Sequence, residues 1–216
     1  MHTQLTHNLR TTLSTGTIAV TRLPLVPEIS LYQIGPDNPR GRLSHEEMIA
    51  IMNAPSYWAF CWASGQILAR YLLDHPEAVR GKSVVDFGSG SGVVGIAAAL
   101  SGASAVTACD LDAHALAACV ANAELNGVNL SLLDDIEKLG SPTDVAIAAD
   151  VLYDREKLPW LTRLPALAAH TLIADSRMRN LELHGYAPVF RATATTVPHL
   201  DESREFNDVR VYRARR

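Results

Sequence analysis

Acidic residues recur at a fixed interval through the middle of this chain, and glycines crowd the first of them. Asp86 is followed after 24 residues by Asp110, and after 24 more by the pair Asp134-Asp135. Between the first two lies Gly88-Ser89-Gly90-Ser91-Gly92. A further acid, Asp150, stands three residues before Tyr153. Carboxylates accept hydrogen bonds from hydroxyl, amino and ammonium groups. Glycines let a backbone turn sharply and approach a ligand with no Cβ in the way.

The elements around these residues place each acid at the end of a strand. Ser83 to Phe87 reads as a short apolar strand, Gly88 to Gly92 as a turn, and Val93 to Leu100 as an Ala-rich helix. Ala105 to Cys109 is a second strand, and Asp112 caps a helix running to Asn126, with Gly127 as its stop. Leu130 to Leu133, Val145 to Ala149 and Leu172 to Ala174 are further strands. Pro188 to Val197 and Val209 to Tyr212 read as a late antiparallel hairpin. Strands alternating with helices indicate an α/β fold, Rossmann-like and doubly wound, with a mainly parallel sheet and helices on both faces. In such sheets ligands sit beyond the C-terminal strand ends.

Upstream the text changes. Residues 1–43 are irregular in pattern, with a short strand at Thr15 to Val20 and a Gly35-Pro36 break. Ser44 with Glu47 three residues on forms a capping box for a helix to Asn53. Gly65 to Leu73 reads as a helix with Ile67, Leu68, Tyr71 and Leu72 on one face. The expected organisation is an N-terminal arm over 1–54 and one globular domain over 55–216.

Two cofactor classes use a glycine turn of this kind. Gly90-Ser91-Gly92-Val93-Val94-Gly95 matches the dinucleotide fingerprint, which places a pyrophosphate on a helix N-terminus. A carboxylate at Asp86, two residues before the first glycine, repels a pyrophosphate. It suits a cofactor with a cationic amino-acid end, such as S-adenosylmethionine. On that reading Asp86 and the turn residues Gly88, Ser89, Gly90 and Gly92 hold the methionine end. Asp110 takes the ribose hydroxyls, its neighbour Leu111 is a further cofactor-binding residue, and Asp134 or Asp135 takes the adenine amino group. An NAD-dependent oxidoreductase is the more distant alternative.

Composition narrows the class. With 48% hydrophobic and 19% charged residues the chain has an ordinary globular balance. A net charge of −4 leaves no basic footprint for nucleic acid. Three cysteines, Cys61, Cys109 and Cys119, make no disulfide framework and match no zinc spacing, so no metal is expected. The polar start of the chain lacks an apolar signal core, and the apolar run Val93 to Leu100 is far short of the ~20 residues that span a bilayer. A cytoplasmic protein without a membrane partner is the expectation.

Asp86-Phe87-Gly88-Ser89-Gly90-Ser91-Gly92 resembles the D-x-G-x-G-x-G motif of the class I, seven-β-strand methyltransferases. Trp58-Ala59-Phe60-Cys61-Trp62-Ala63-Ser64-Gly65-Gln66, Arg80-Gly81-Lys82-Ser83 and Asp150-Val151-Leu152-Tyr153-Asp154 resemble the protein-lysine methyltransferases related to methyltransferase family 16. Within these the electron transfer flavoprotein β-subunit lysine methyltransferase family is the best match, over roughly residues 55–155. The resemblance implies a seven-stranded sheet and methyl transfer from S-adenosylmethionine to a protein lysine, leaving S-adenosylhomocysteine. It further implies Asp150 as acceptor of a hydrogen bond from the incoming ammonium, also near the cofactor, with Tyr153 as an aromatic wall and Trp62 beside the methionine tail. A cation is attracted to an aromatic face. A small-molecule, nicotinamide-like N-methyltransferase is the alternative acceptor class. The sequence departs from the family's Trp-Pro-x-Gly at Trp62-Ala63-Ser64-Gly65, close to that tail. No Asn-Pro-Pro-Tyr follows the fourth strand, which disfavours methylation of DNA bases or glutamine amides.

Overall fold

A computed structural model describes residues 2–36, 38, 43–152, 155–178 and 181–215. Its centre is a seven-stranded sheet built from β3 (Ser83–Phe87), β4 (Ala105–Cys109), β5 (Ser131–Leu133), β6 (Thr143–Ala149), β7 (Ala168–Asp175), β8 (Ala187–Thr193) and β9 (Asp208–Arg215). The spatial order is β5-β4-β3-β6-β7-β9-β8. Pairs from β5 to β7 are parallel, and β9 runs antiparallel to both β7 and β8. The Rossmann-like, mainly parallel seven-stranded expectation is borne out.

Both faces of the central strands are buried, so adjacent residues feed opposite cores. Val84, Ile147, Leu172 and Val211 face Leu68 and Leu72 of α3 (Ala63–Asp74) and Ile96 of α4 (Val93–Leu100). Their neighbours Val85, Ala146, Ile173 and Tyr212 face the opposite way, onto Leu161 and Leu164 of α6 (Trp160–Leu167). This alternation fixes the register, because a one-residue slip exchanges the two cores. It also delivers the strand ends carrying Asp110 and Asp150 to the same edge of the sheet.

The first strand–helix units follow the residue pattern closely, at Ser83–Phe87, Val93–Leu100 and Ala105–Cys109. Asp112 caps α5 (Ala113–Leu125) by accepting the His114 N–H at 2.8 Å. The Ser44–Glu47 capping box opens α2 (His45–Asn53).

Residues 2–36 are more ordered than their pattern suggests. They contain α1 (His2–Leu9) and a two-stranded antiparallel hairpin, β1 (Ile18–Arg22) and β2 (Ser30–Ile34). Leu5, Leu9 and Ile18 pack with Trp58 on Ala115, Ala118 and Ala121 of α5. Asn122 accepts the Tyr32 N–H at 2.7 Å, and Asn126 accepts that of Ser30 at 3.0 Å. The ordering thus comes from tertiary contacts rather than local propensity. Two further elements escape the residue pattern: α6, and the return of β8 at Thr193 rather than Val197. Beyond β8, Val197 instead forms an isolated bridge with Cys61.

Candidate active site

The chain reverses its direction of winding between β3 and β6, and the open ends of these strands border a cleft of about 890 Å³. Ligands of doubly wound sheets bind at such a switch point. One wall is the glycine turn. The N–H groups of Gly88 and Ser89 both donate to the Cys109 carbonyl, at 2.9 and 3.1 Å, which curls the turn over the end of β4. Gly88 has φ +68°, and a Cβ there would lie 2.7 Å from Cγ1 of Val151. Only glycine suits this position.

The two acids nearest the turn have different surroundings. Asp110 lines the cleft, with Oδ2 accepting the Gly90 N–H at 2.9 Å and Oδ1 that of Asp112 at 3.0 Å. Each carboxylate oxygen has a second lone pair, which leaves Asp110 able to receive a pair of hydroxyls. Burial raises its pKa, against the backbone donors of Asp112, Gly90 and Leu111 that lower it. Asp86 is instead 2% exposed and is not among the side chains bordering the cleft. Its Oδ2 accepts the Gly95 N–H at 2.8 Å, inside the first turn of α4. Burial pushes its carboxyl up to about 7. The direct contact expected of Asp86 is therefore replaced by an internal one: it braces the turn from beneath.

The remaining turn residues divide similarly. Gly88 and Gly90 border the cleft, whereas Ser89 is buried against Cys119 and Gly92 begins α4. Of the adjacent acids, Asp135 lines the cleft and caps a short 3₁₀ turn by accepting the Glu137 N–H. Asp134 points elsewhere, paired with Lys138 at 2.7 Å. Leu111 is 79% exposed and lies on the cleft wall.

Asp150 sits across the cleft at the end of β6. Its Oδ1 accepts the Ser64 hydroxyl at 2.6 Å and its Oδ2 the Ser64 N–H at 3.1 Å. Burial, then the neighbouring Asp175, raise its carboxyl to about 6. Trp62 lines the same end, its Nε1–H donating to the Tyr57 carbonyl at 3.1 Å and its ring edge-on to Tyr57. Tyr153 lies outside the described residues.

Residue patterns miss part of the wall. The rings of Phe87 and Trp160 lie 4.4 Å apart, tilted by 43°, and both border the cleft, as do Tyr57, Lys157 and Arg177. Arg163 lies over the outer face of Trp160 at 4.1 Å. Trp160 follows Pro159 in a stretch with no strand or glycine signal, so only the folded chain places it. Ser64 is 86 positions from Asp150. Trp58 lines the cleft although it is 1% exposed. Among the described residues no group of three or more His, Cys, Asp or Glu side chains is arranged for a metal ion, and no helix is long and apolar enough to cross a membrane.

This sheet order, with its glycine turn and strand-end carboxylates, is the fold of the class I methyltransferases. It matches magnesium protoporphyrin IX methyltransferase from Synechocystis PCC 6803, solved with bound SAM, with a TM-score of 0.55 and 20% identity over 82% of this chain and 86% of that one. The family model for ribosomal protein L11 methyltransferase (PrmA) matches residues 68–154. The electron transfer flavoprotein beta subunit lysine methyltransferase of Homo sapiens is 42% identical over 135 residues, 61% of this chain and 50% of its own length. That of Xenopus laevis is 35% identical over 178 residues, 78% of this chain and 69% of its own. The chain belongs to the electron transfer flavoprotein β-subunit lysine methyltransferase family. It spans about half the length of the first mammalian relatives it matches.

Proposed function

We propose that this protein transfers a methyl group from S-adenosylmethionine to a lysine side chain of another protein, one such as the electron transfer flavoprotein β subunit. The observation carrying this reading is that one continuous cleft holds both sets of groups. Asp110, Asp135 and the glycine turn line it together with Asp150, Trp62 and the Phe87–Trp160 pair.

The residues present fit the cofactor. Asp110 has lone pairs for ribose hydroxyls, Asp135 a carboxylate for an exocyclic amine, and Leu111 an exposed apolar cover. Gly88 and Gly90 border the cleft without a Cβ, so the backbone of the turn can lie close to a ligand. When bound, S-adenosylmethionine supplies an activated methyl group on a sulfonium, so the protein's task is to position the acceptor in line with it.

The Asp150 carboxylate receives the acceptor ammonium, and the aromatic walls attract and desolvate it. Desolvation lowers the pKa of an amine from its usual ~10.4, which frees the lone pair for attack. A carboxylate alone acts in the opposite direction. Asp150 therefore orients the acceptor, and the proton passes to water.

Calorimetry with S-adenosylhomocysteine and with NAD tests the cofactor, and only the first is expected to bind. Mass spectrometry of the proteome with and without the protein tests the acceptor. Methylated lysine that depends on the protein is expected. Label from the cofactor appearing only in small molecules would overturn the protein acceptor.

A further inference from the structure

We infer that Ser64 is a positioning residue for the acceptor site, holding the Asp150 carboxylate in one orientation and in its charged form through two simultaneous hydrogen bonds. The inference rests on the role of Asp150 proposed above. Ser64 is fully buried and sits in the first turn of α3, where backbone N–H groups have no partner within the helix. Asp150 supplies that partner from β6, accepting the Ser64 N–H on one oxygen and its hydroxyl on the other. The carboxylate is thus clamped at both oxygens by one residue. Ser176 reaches Oδ1 as well, but at 3.4 Å.

The backbone of Asp150 shows how tightly the site is determined. Its φ is +54°, left-handed for a residue with a side chain. Such a residue persists only where its surroundings hold it. Here the Asp150 N–H donates to the Ala174 carbonyl at 3.1 Å, and the two Ser64 donors hold the other end.

Charge around Asp150 is finely divided. On β7 the Asp175 carboxylate opposes its ionisation, and Asp175 itself is held by the N–H groups of Arg177 and Met178. The Arg177 guanidinium favours ionisation. Glu202 borders a small pocket behind Asp150, its carboxylate accepting the Thr196 hydroxyl. The buried Cys61 thiol nearby is held protonated by burial and by Asp150. Burial is the largest influence on Asp150 and works against its charge, while both Ser64 donors work for it. Hydrogen bonds to a charged group are the strong ones. Losing the hydroxyl would leave the carboxyl substantially protonated near neutral pH, and a protonated carboxyl holds an ammonium poorly.

The test is a titration of Asp150 by carbon NMR of labelled aspartate carboxyls in the full chain, with the resonance assigned by its loss in Asp150→Asn. In Ser64→Ala the Asp150 midpoint is expected to rise by about one pH unit. In Ser64→Cys, which keeps the volume and a weaker donor, it is expected to rise by roughly half as much. The Asp86 midpoint serves as the control for an intact fold, since unfolding returns it to an ordinary carboxylate value. In turnover, the acceptor KM of Ser64→Ala is expected to rise several-fold more at about pH 6.5 than near pH 8.5, where only the lost orientation is felt, with kcat little changed. An unmoved Asp150 midpoint in folded Ser64→Ala, or the same loss at every pH, overturns the role of Ser64. The titration needs no turnover. A shifted midpoint in a protein that transfers no methyl group would instead overturn the methyltransferase reading.

Discussion

The Gly95 N–H donates to Oδ2 of Asp86 at 2.8 Å, tying the end of β3 to the first turn of α4 beneath the glycine turn. An anion at a helix N-terminus is stabilised by the helix dipole, yet here burial outweighs that and raises the Asp86 carboxyl to about 7. The native state therefore binds a proton on Asp86 between about pH 4 and pH 7 that the unfolded chain, with an ordinary carboxylate, has released. Stability contributed here is full at the acid end and falls as pH rises through that window. Asp150, raised to about 6, adds a slope of the same sign at lower pH. Asp86→Asn is expected to flatten the dependence. Thermal melts from pH 4.5 to 8 check this, at about 3 points per unit, and a mutant retaining the original slope would refute the assignment.

The two acidic spots beyond β4 and β5 should separate cleanly in binding. Asp110→Ala removes the carboxylate that lines the cleft, and affinity for S-adenosylhomocysteine is expected to fall by about 10- to 100-fold, the loss of a charged acceptor. Asp134→Ala removes only an exposed partner of Lys138 and should change affinity less than about two-fold. Calorimetry on both variants decides, and equal losses would contradict the geometry.

Gly88 and Val151 offer a double-mutant cycle. Gly88→Ala brings its Cβ to 2.7 Å from Val151 Cγ1 and imposes φ +68° on alanine. A destabilisation of about 1–3 kcal/mol is expected by denaturant unfolding. Val151→Ala should relieve the steric part and leave the backbone part. A coupling energy within ~0.3 kcal/mol of zero would show that the two do not touch.

Asn122 joins the N-terminal hairpin to the glycine turn. It accepts the Tyr32 N–H and donates to the Ser91 carbonyl at 2.8 Å, with no exposed surface. Asn122→Ala removes the partner of one buried and one half-buried backbone group, an expected loss of about 1–3 kcal/mol. Affinity for S-adenosylhomocysteine should fall with it, because the turn loses a support. Unchanged affinity at full stability loss would confine Asn122 to the hairpin.

Much of the frame around the cleft was legible in residue order. The spacing of Asp86, Asp110 and the Asp134-Asp135 pair located successive strand ends, and the glycines located the turn after the first of them. Those inferences succeed because buried parallel strands and their connecting helices are written locally, in short apolar runs with polar caps. The same reasoning misjudged what Asp86 touches. Strand position shows that a side chain leaves the sheet near the turn, but not whether the next helix closes over it.

What the order of residues determined by itself was the fold class, the family and the placing of acids at strand ends, since each depends on contacts between near neighbours in the chain. Only the tertiary structure decided which carboxylates reach the cleft, that Ser64 clamps Asp150, and that Trp160 packs on Phe87. Those contacts join residues 73 to 86 positions apart. Local propensity carries no information about them. They exist because burying both faces of one sheet forces distant segments onto the same edge.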